Sequence, residues 1–276
     1  MEFDWDKLRA ERLEFEFSVG MVCMGDHPDI INMIENETLP AILKNVGNEK
    51  FELIISDNTK DPSGEYVNFL TRYLPSLHYP TRVILNGENT GCVGGWNSMF
   101  KQCRGKYIAG FASDYLVGTP DFLRKMSQPM EVNDKIACTS HRVARSNSNC
   151  DGQPFPDVQG TFVTAAALDG LMLRRSALEK IGYIDEDIWP YMGEDMSLGI
   201  QLNEAGYCVM KVELPGDVHL GQRSVHTRKN PRDDNSSVWP RSSTQSMWDR
   251  NRRIMMEKHK EFLNRKCTWN ESKEIS

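Results

Sequence analysis

FELIISDNT, residues 51–59, is the stretch on which the fold turns. Phe51 to Ser56 form a compact apolar run of strand length, and the run stops at Asp57-Asn58-Thr59, residue types that favour turns. The turn-rich segment Lys60 to Gly64 follows, then a helical pattern to about Tyr73. The same rhythm repeats on both sides. Upstream, Phe15 to Cys23 reads as a first strand, and Asp26-His27-Pro28 opens a helix with Pro28 in its first turn and Ile30, Ile31, Ile34, Leu39 and Leu43 on its buried face. Downstream, Thr81 to Asn86 reads as a strand, Trp96 to Cys103 as a helix, and Lys106 to Ala112 as a strand running into Ser113-Asp114. Short β-rich runs alternating with longer helical patterns predict an α/β domain with a mainly parallel central sheet flanked by helices. In open sheets of this kind ligands collect outside the carboxyl ends of the strands, which puts weight on Asp57 and Asp114.

At 276 residues, with 39% hydrophobic and 26% charged residues, the chain suits one large domain with an appendage and lies far from a disordered composition. A net charge of -6 argues against a duplex nucleic acid partner, which needs a broad basic surface. There is no run of about 18 apolar residues, and Met1 to Glu16 is charged throughout. The expected location is therefore cytoplasmic. Cys23, Cys92, Cys103, Cys138, Cys150, Cys208 and Cys267 contain no CxxC pair, which fits small, buried, reduced thiols better than a zinc site or a disulfide framework.

Further along, Arg145 to Gly160 is rich in Ser, Asn, Pro and Gly and reads as a long surface loop. Helical signals return at Ser176 to Ile181 and at Glu194 to Ala205, where Leu198, Leu202 and Ala205 share a face and Gly206 ends the pattern. Beyond His226 the composition becomes basic and Ser-rich, and Gln245 to Arg265 reads as a basic helix carrying Trp248, Ile254, Met255, Phe262 and Leu263. Such a helix either makes peripheral contact with an anionic membrane or packs its apolar face on the domain; Met, Ile and Leu at helical spacing favour packing.

In order and spacing, ELIISDNTKD (52–61), NGENTGCVGGWN (86–97) and GKYIAGFASDYLVGTPDFL (105–123) resemble the nucleotide-binding half of family 2 glycosyltransferases with the GT-A fold. DGLMLRRSALEKIGYIDEDIWPYMGEDMSLGIQLNEAGY (169–207), followed by VHLGQRS (218–224), resembles the acceptor-side half. The resemblance implies a Rossmann-like GT-A domain over residues 1–226, with its nucleotide-binding half at about 15–125 and its acceptor-side half at about 126–226. A basic loop and a C-terminal helical extension would follow at 227–276. It also implies inverting transfer of a sugar from a UDP-, GDP- or dTDP-linked donor to a hydroxyl of a glycan, lipid-linked or protein acceptor.

By this resemblance Asp57 accepts a hydrogen bond from the donor base, although DNTKD is also a turn in which Asp57 acts as a cap. Asn89 and Gly91 lie in the glycine-bearing turn where backbone approaches the nucleotide, with Asn97 in the helix that follows. Ser113 and Asp114 match the end of the family's DxD element, whose last carboxylate holds a divalent cation against the donor diphosphate. Ala112 stands where the first acid often is, so one carboxylate must serve. His219 matches a histidine that supplies a second contact to the cation, and an imidazole ranks Mn²⁺ ahead of Mg²⁺. Asp169 and Gly170 fall under the donor sugar, where Asp169 either binds hydroxyls or caps a turn. Glu194-Asp195 matches the ED motif at a helix N-terminus, with Asp195 as general base and Glu194 in support; the residues themselves leave the reverse assignment open.

Two other classes compete. A nucleotide- or carbohydrate-binding module without turnover is motivated by Ala112. A nucleotidyltransferase on a related sheet lacks its early Gly-rich phosphate loop between the first strand and Pro28.

Overall fold

A computed structural model describes residues 15–24, 28–60, 64–141, 162–163, 167–189, 192–220 and 241–264. The predicted Arg145 to Gly160 loop, Asp26-His27, Pro190-Tyr191, Cys150 and Cys267 lie outside the described residues. The chain runs through β1 (Phe17–Cys23) and α1, whose pieces are Pro28–Met33, a π-helical turn Ile34–Thr38, and Leu39–Asn45. Next come β2 (Phe51–Asp57) and α2, which comprises Gly64–Asn68, a second π-helical turn Phe69–Tyr73, and Leu74–Ser76. Then follow β3 (Thr81–Leu85), α3 (Gly91–Gln102), β4 (Tyr107–Ala112), β5 (Tyr115–Leu116), α4 (Phe122–Val132), β6 (Ile136–Ser140) and β7 (Phe162–Val163). The remainder is β8 (Gly170–Arg174), α5 (Arg175–Ile181), α6 (Glu194–Glu204), β9 (Cys208–Lys211), β10 (Val218–His219), α7 (Arg241–Lys258) and α8 (Lys260–Asn264).

The main sheet has the order β3-β2-β1-β4-β8-β6-β9-β7. β3, β2, β1 and β4 are mutually parallel; β8 enters antiparallel between β4 and β6; β9 is parallel to β6 and β7 antiparallel to β9. Alternation of side chains along each strand divides the core in two. Phe17, Val19 and Met21, Leu53 and Ile55, and Ala109 and Phe111 point to the face covered by α1, α2 and α4. Ile54, Ile108, Leu171 and Leu173 point to the other, against Trp96, Met99, Ala177, Leu178, Leu198 and Leu202. Helices on both faces explain why the strands read as unbroken apolar runs.

Where α7 was read as either a membrane-surface helix or a packed one, it packs. Met255 is 1% exposed, and Trp248 and Ile254 lie against the second core cluster. Three of its named apolar residues, Trp248, Ile254 and Met255, are thus turned into the protein. Among the described residues, no helix is long and apolar enough to cross a membrane. Cys23, Cys92, Cys103, Cys138 and Cys208 are free thiols, and burial pushes those of Cys23, Cys103 and Cys208 up to about 12. They stay protonated and chemically quiet, as small core residues do.

Candidate active site

Because β1 to β4 are parallel, their carboxyl ends share one edge of the sheet. Asp57 closes β2 there, 4% exposed, and its Oδ1 accepts the Thr59 N–H at 2.8 Å. Beside it, Tyr66 is fully buried, with its hydroxyl 3.3 Å from Cys23 Sγ. Burial, then the neighbouring Cys23 and Asp57, push the Tyr66 phenol far above its ordinary range, so it remains a donor. Asp57 thus forms the turn expected of DNTKD with its carboxylate seated at the strand end.

The glycine turn is tied to this point by Asn58, which the motif reading passed over. Asn58 is 3% exposed; its Oδ1 accepts from Asn86 Nδ2 and Thr90 Oγ1, both at 2.8 Å, and its Nδ2 donates to Gly91 O at 2.8 Å. Asn89 Oδ1 accepts the Gly91 N–H at 3.0 Å, and Gly91 opens α3 at φ +75°. Asn97 is the predicted site residue that the structure turns elsewhere. Its amide donates to Ile184 O at 2.8 Å and accepts Ile184 N–H at 3.1 Å, clamping α3 to the segment after α5.

β4 ends at Ser113-Asp114. The Ser113 carbonyl accepts from Thr38 Oγ1 at 2.7 Å, at the end of the first π-helical turn, and the Asp114 carbonyl accepts Leu220 N–H at 2.9 Å. Asp114 is 4% exposed. The antiparallel β5–β10 ribbon places His219 opposite Tyr115, so the backbone brings His219 to the residue after Asp114. Tyr115 donates to Asp217 Oδ2 at 3.0 Å, and its ring lies against Gly170, where a Cβ would stand 2.5 Å from Cζ. Gly170 is therefore required by packing. Next to it the Asp169 carbonyl accepts Ala112 N–H at 3.4 Å, joining the start of β8 to the end of β4.

α6 brings its carboxylates to the same edge. Asp195 is partly exposed and its Oδ1 accepts Leu168 N–H at 2.8 Å. Glu194 is 8% exposed; Cys92 Sγ donates to its Oε1 at 3.6 Å, while Oε2 is buried without a hydrogen-bond partner. Burial raises the Glu194 pKa against the lowering effect of nearby backbone N–H groups. A carboxyl with a raised folded-state pKa favours the fold fully below its unfolded pKa and loses that contribution as pH rises through the folded value. Glu194→Gln is therefore expected to raise the melting temperature near pH 8, by about 2–4 °C for about 1 kcal/mol. The gain should vanish near pH 4; an equal gain at both pH values would show that burial of the charge is not its source.

The structure thus gathers Asp57, Asn89 and Gly91 at the β2–α3 corner, Ser113, Asp114, Asp169 and Gly170 at the β4–β8 junction, and Glu194 and Asp195 against Leu168 and Cys92. The profile of glycosyl transferase family 2 matches residues 30–182, from α1 to the end of α5. The chain belongs to this family. It has a GT-A fold, as the solved structures it resembles also show. The mannosyltransferase PcManGT from Pyrobaculum calidifontis, in complex with GDP-Man and Mn²⁺, superposes with a TM-score of 0.57 at 13% identity, over 78% of this chain and 60% of that one. GalNAc-T7 with UDP, GalNAc and Mn²⁺ superposes at 0.59 and 11% identity, over 90% and 57% respectively. S. aureus TarS 1-349 gives 0.53 and 13%, over 73% and 59%. The chain spans about three fifths of the length of these structures. No curated protein matches its sequence.

Proposed function

We propose that the protein transfers a sugar, with inversion, from a nucleoside diphosphate sugar to an acceptor hydroxyl. The observation that carries this reading is the convergence of Asp57, Asp114, Asp169 and the Glu194-Asp195 pair on one edge of the sheet, linked by the Ala112–Asp169 and Leu168–Asp195 hydrogen bonds. Asp57, fixed by the Thr59 N–H, accepts from the base; the Asn89–Gly91 turn follows the ribose and phosphates. Asp195 removes the proton from the attacking hydroxyl, on the face of the sugar opposite the diphosphate. Glu194 supports it from the first turn of α6. PcManGT with GDP-Man and Mn²⁺, and GalNAc-T7 with UDP and Mn²⁺, support a donor of this chemical class.

The donor set suits a cation that arrives with the substrate. Among the described residues no three His, Cys, Asp or Glu side chains gather as a metal centre, whereas Asp114 offers one hard oxygen ligand and β10 carries His219 alongside. Asp114 and His219 would hold the ion, leaving the rest of its shell to phosphate oxygens and water. When bound, such an ion neutralises charge developing on the leaving diphosphate. Mn²⁺ ranks ahead of Mg²⁺ because of the imidazole.

The test is a thermal-shift screen of UDP, GDP, dTDP and CMP with and without Mn²⁺, followed by assay of nucleoside diphosphate release from the matching sugar donor. One diphosphate is expected to stabilise the protein with Mn²⁺ present by about 2–3 kcal/mol at roughly 100 times its dissociation constant, and by less at the same concentration without Mn²⁺. Asp114→Asn should remove the Mn²⁺-dependent part, and His219→Ala should reduce it. Unchanged binding and turnover in EDTA would sink the metal assignment. Binding with no turnover across a broad acceptor panel would instead favour a module that kept the fold after losing chemistry at Ala112.

A further inference from the structure

α7 lies outside the segment that matches the family profile, yet it grips the turn from which Glu194 and Asp195 project. That turn is unusual backbone. Met192 has φ +76° and Gly193 φ +99°, so two consecutive residues occupy the left-handed region immediately before α6. Gly193 tolerates this, but Met192 carries a side chain there and is held at a cost. The contacts that hold it come from α7. Asn251 is fully buried, and its Nδ2 donates to Met192 O at 2.9 Å. Its Oδ1 accepts from Arg250 Nη1 at 2.8 Å, and the same Arg250 nitrogen reaches Trp189 O at 3.0 Å and Asp187 O at 3.3 Å. Met255 and Trp248 close over Gly193, where a Cβ would meet Met255 Cε at 2.9 Å. From the far side, Trp189 Nε1 donates to Thr90 O at 3.1 Å, linking the braced segment to the glycine turn.

We propose that Asn251 is a positioning residue: its amide, itself oriented by Arg250, fixes the Met192–Gly193 turn and thereby sets where the Glu194-Asp195 carboxylates stand relative to the acceptor. This rests on the reading of those carboxylates as the catalytic pair. The physical demand is clear, because a displacement of about 1 Å in a reacting group can cost about 100-fold in rate. A buried amide with donor and acceptor both engaged is a precise way to hold a strained turn.

The test uses the full chain with UDP-GlcNAc and GDP-mannose as donors, Mn²⁺ present and water as acceptor. It compares wild type, Asn251→Asp, Asn251→Ser and Asp195→Asn. Asn251→Asp keeps the acceptor for Arg250 and removes the donor to Met192. It is expected to lower kcat by about 10- to 100-fold with donor affinity within about twofold of wild type. Asn251→Ser, which retains a donor, should recover part of the loss. Hydrogen exchange should quicken locally at the Ser197 amide, whose N–H bonds Gly193 O at 2.8 Å in the first turn of α6. Unchanged exchange there overturns the brace, as does a kcat that holds in Asn251→Asp while Asp195→Asn is inactive. A parallel fall in kcat, donor affinity and global protection reduces Asn251 to a packing residue and also overturns it. An active Asp195→Asn enzyme, in contrast, overturns the assignment of the base and removes the catalytic half of the proposal with it.

Discussion

Asp195→Asn is expected to lower kcat by about 10²- to 10⁴-fold while leaving donor affinity within about twofold of wild type. A sugar hydroxyl is a poor nucleophile, and a carboxylate that takes its proton as the new bond forms is worth that much. The substitution is unusually clean here. The Asp195 Oδ1 that accepts Leu168 N–H at 2.8 Å has an equivalent carbonyl oxygen in asparagine, so this contact is kept while the basicity is lost. On the proposed reading, donor affinity rests on the β2–α3 corner and on Asp114, neither of which is altered. Glu194→Gln belongs in the same experiment, because Glu194 carries a buried Oε2 without a partner and a raised pKa, both features of a general base. Nucleoside diphosphate release and equilibrium donor binding are the two readouts. Retention of more than about a tenth of the activity by Asp195→Asn, together with collapse in Glu194→Gln, would reverse the two roles.

The parts of this site that were legible in the sequence are those written locally. Asp57 and Asp114 stand where apolar runs break, and the strands that present them, Phe51–Asp57 and Tyr107–Ala112, fall within a residue or so of the expected Phe51 to Ser56 and Lys106 to Ala112. α3 was placed from Trp96 but begins at Gly91. Its first turns contain Gly91, Gly94 and Gly95, residues that disfavour helix in isolation and whose use here depends on tertiary contact. The antiparallel direction of β8 was invisible, because GLMLR, buried on both faces, has the same apolar run in either direction. Asn97 was named for the nucleotide, yet it spends its amide on Ile184, a partner 87 residues away in sequence. The same blindness hid Asn58, Tyr66 and Asn251. Their partners are Gly91, Cys23 and Met192, each brought close only by the finished fold.

Met255→Ala, and more drastically removal of residues 241–276, is expected to destabilise the whole domain. Met255 is 1% exposed and packs in the second core cluster, so truncating it should cost about 2–5 kcal/mol. For a chain of this size that corresponds to a melting temperature lower by roughly 5–15 °C. Removal of the whole segment also uncovers Gly193 and withdraws Asn251 from Met192 and Lys258 from Asp185 and Asp187. The exposed Lys258 pairs matter little by themselves, because screened surface ion pairs contribute at most about 1 kcal/mol. The uncovered apolar surface matters more, so the truncated protein should be insoluble, or should melt well below wild type with impaired transfer. A membrane-attachment helix would behave differently: its removal would leave the melting temperature and donor affinity unchanged and abolish flotation with phosphatidylserine vesicles. Thermal melting and vesicle flotation of both proteins separate the two. A truncated chain that melts like the full one, loses flotation and keeps its donor affinity would return the helix to the membrane and detach it from the catalytic fold.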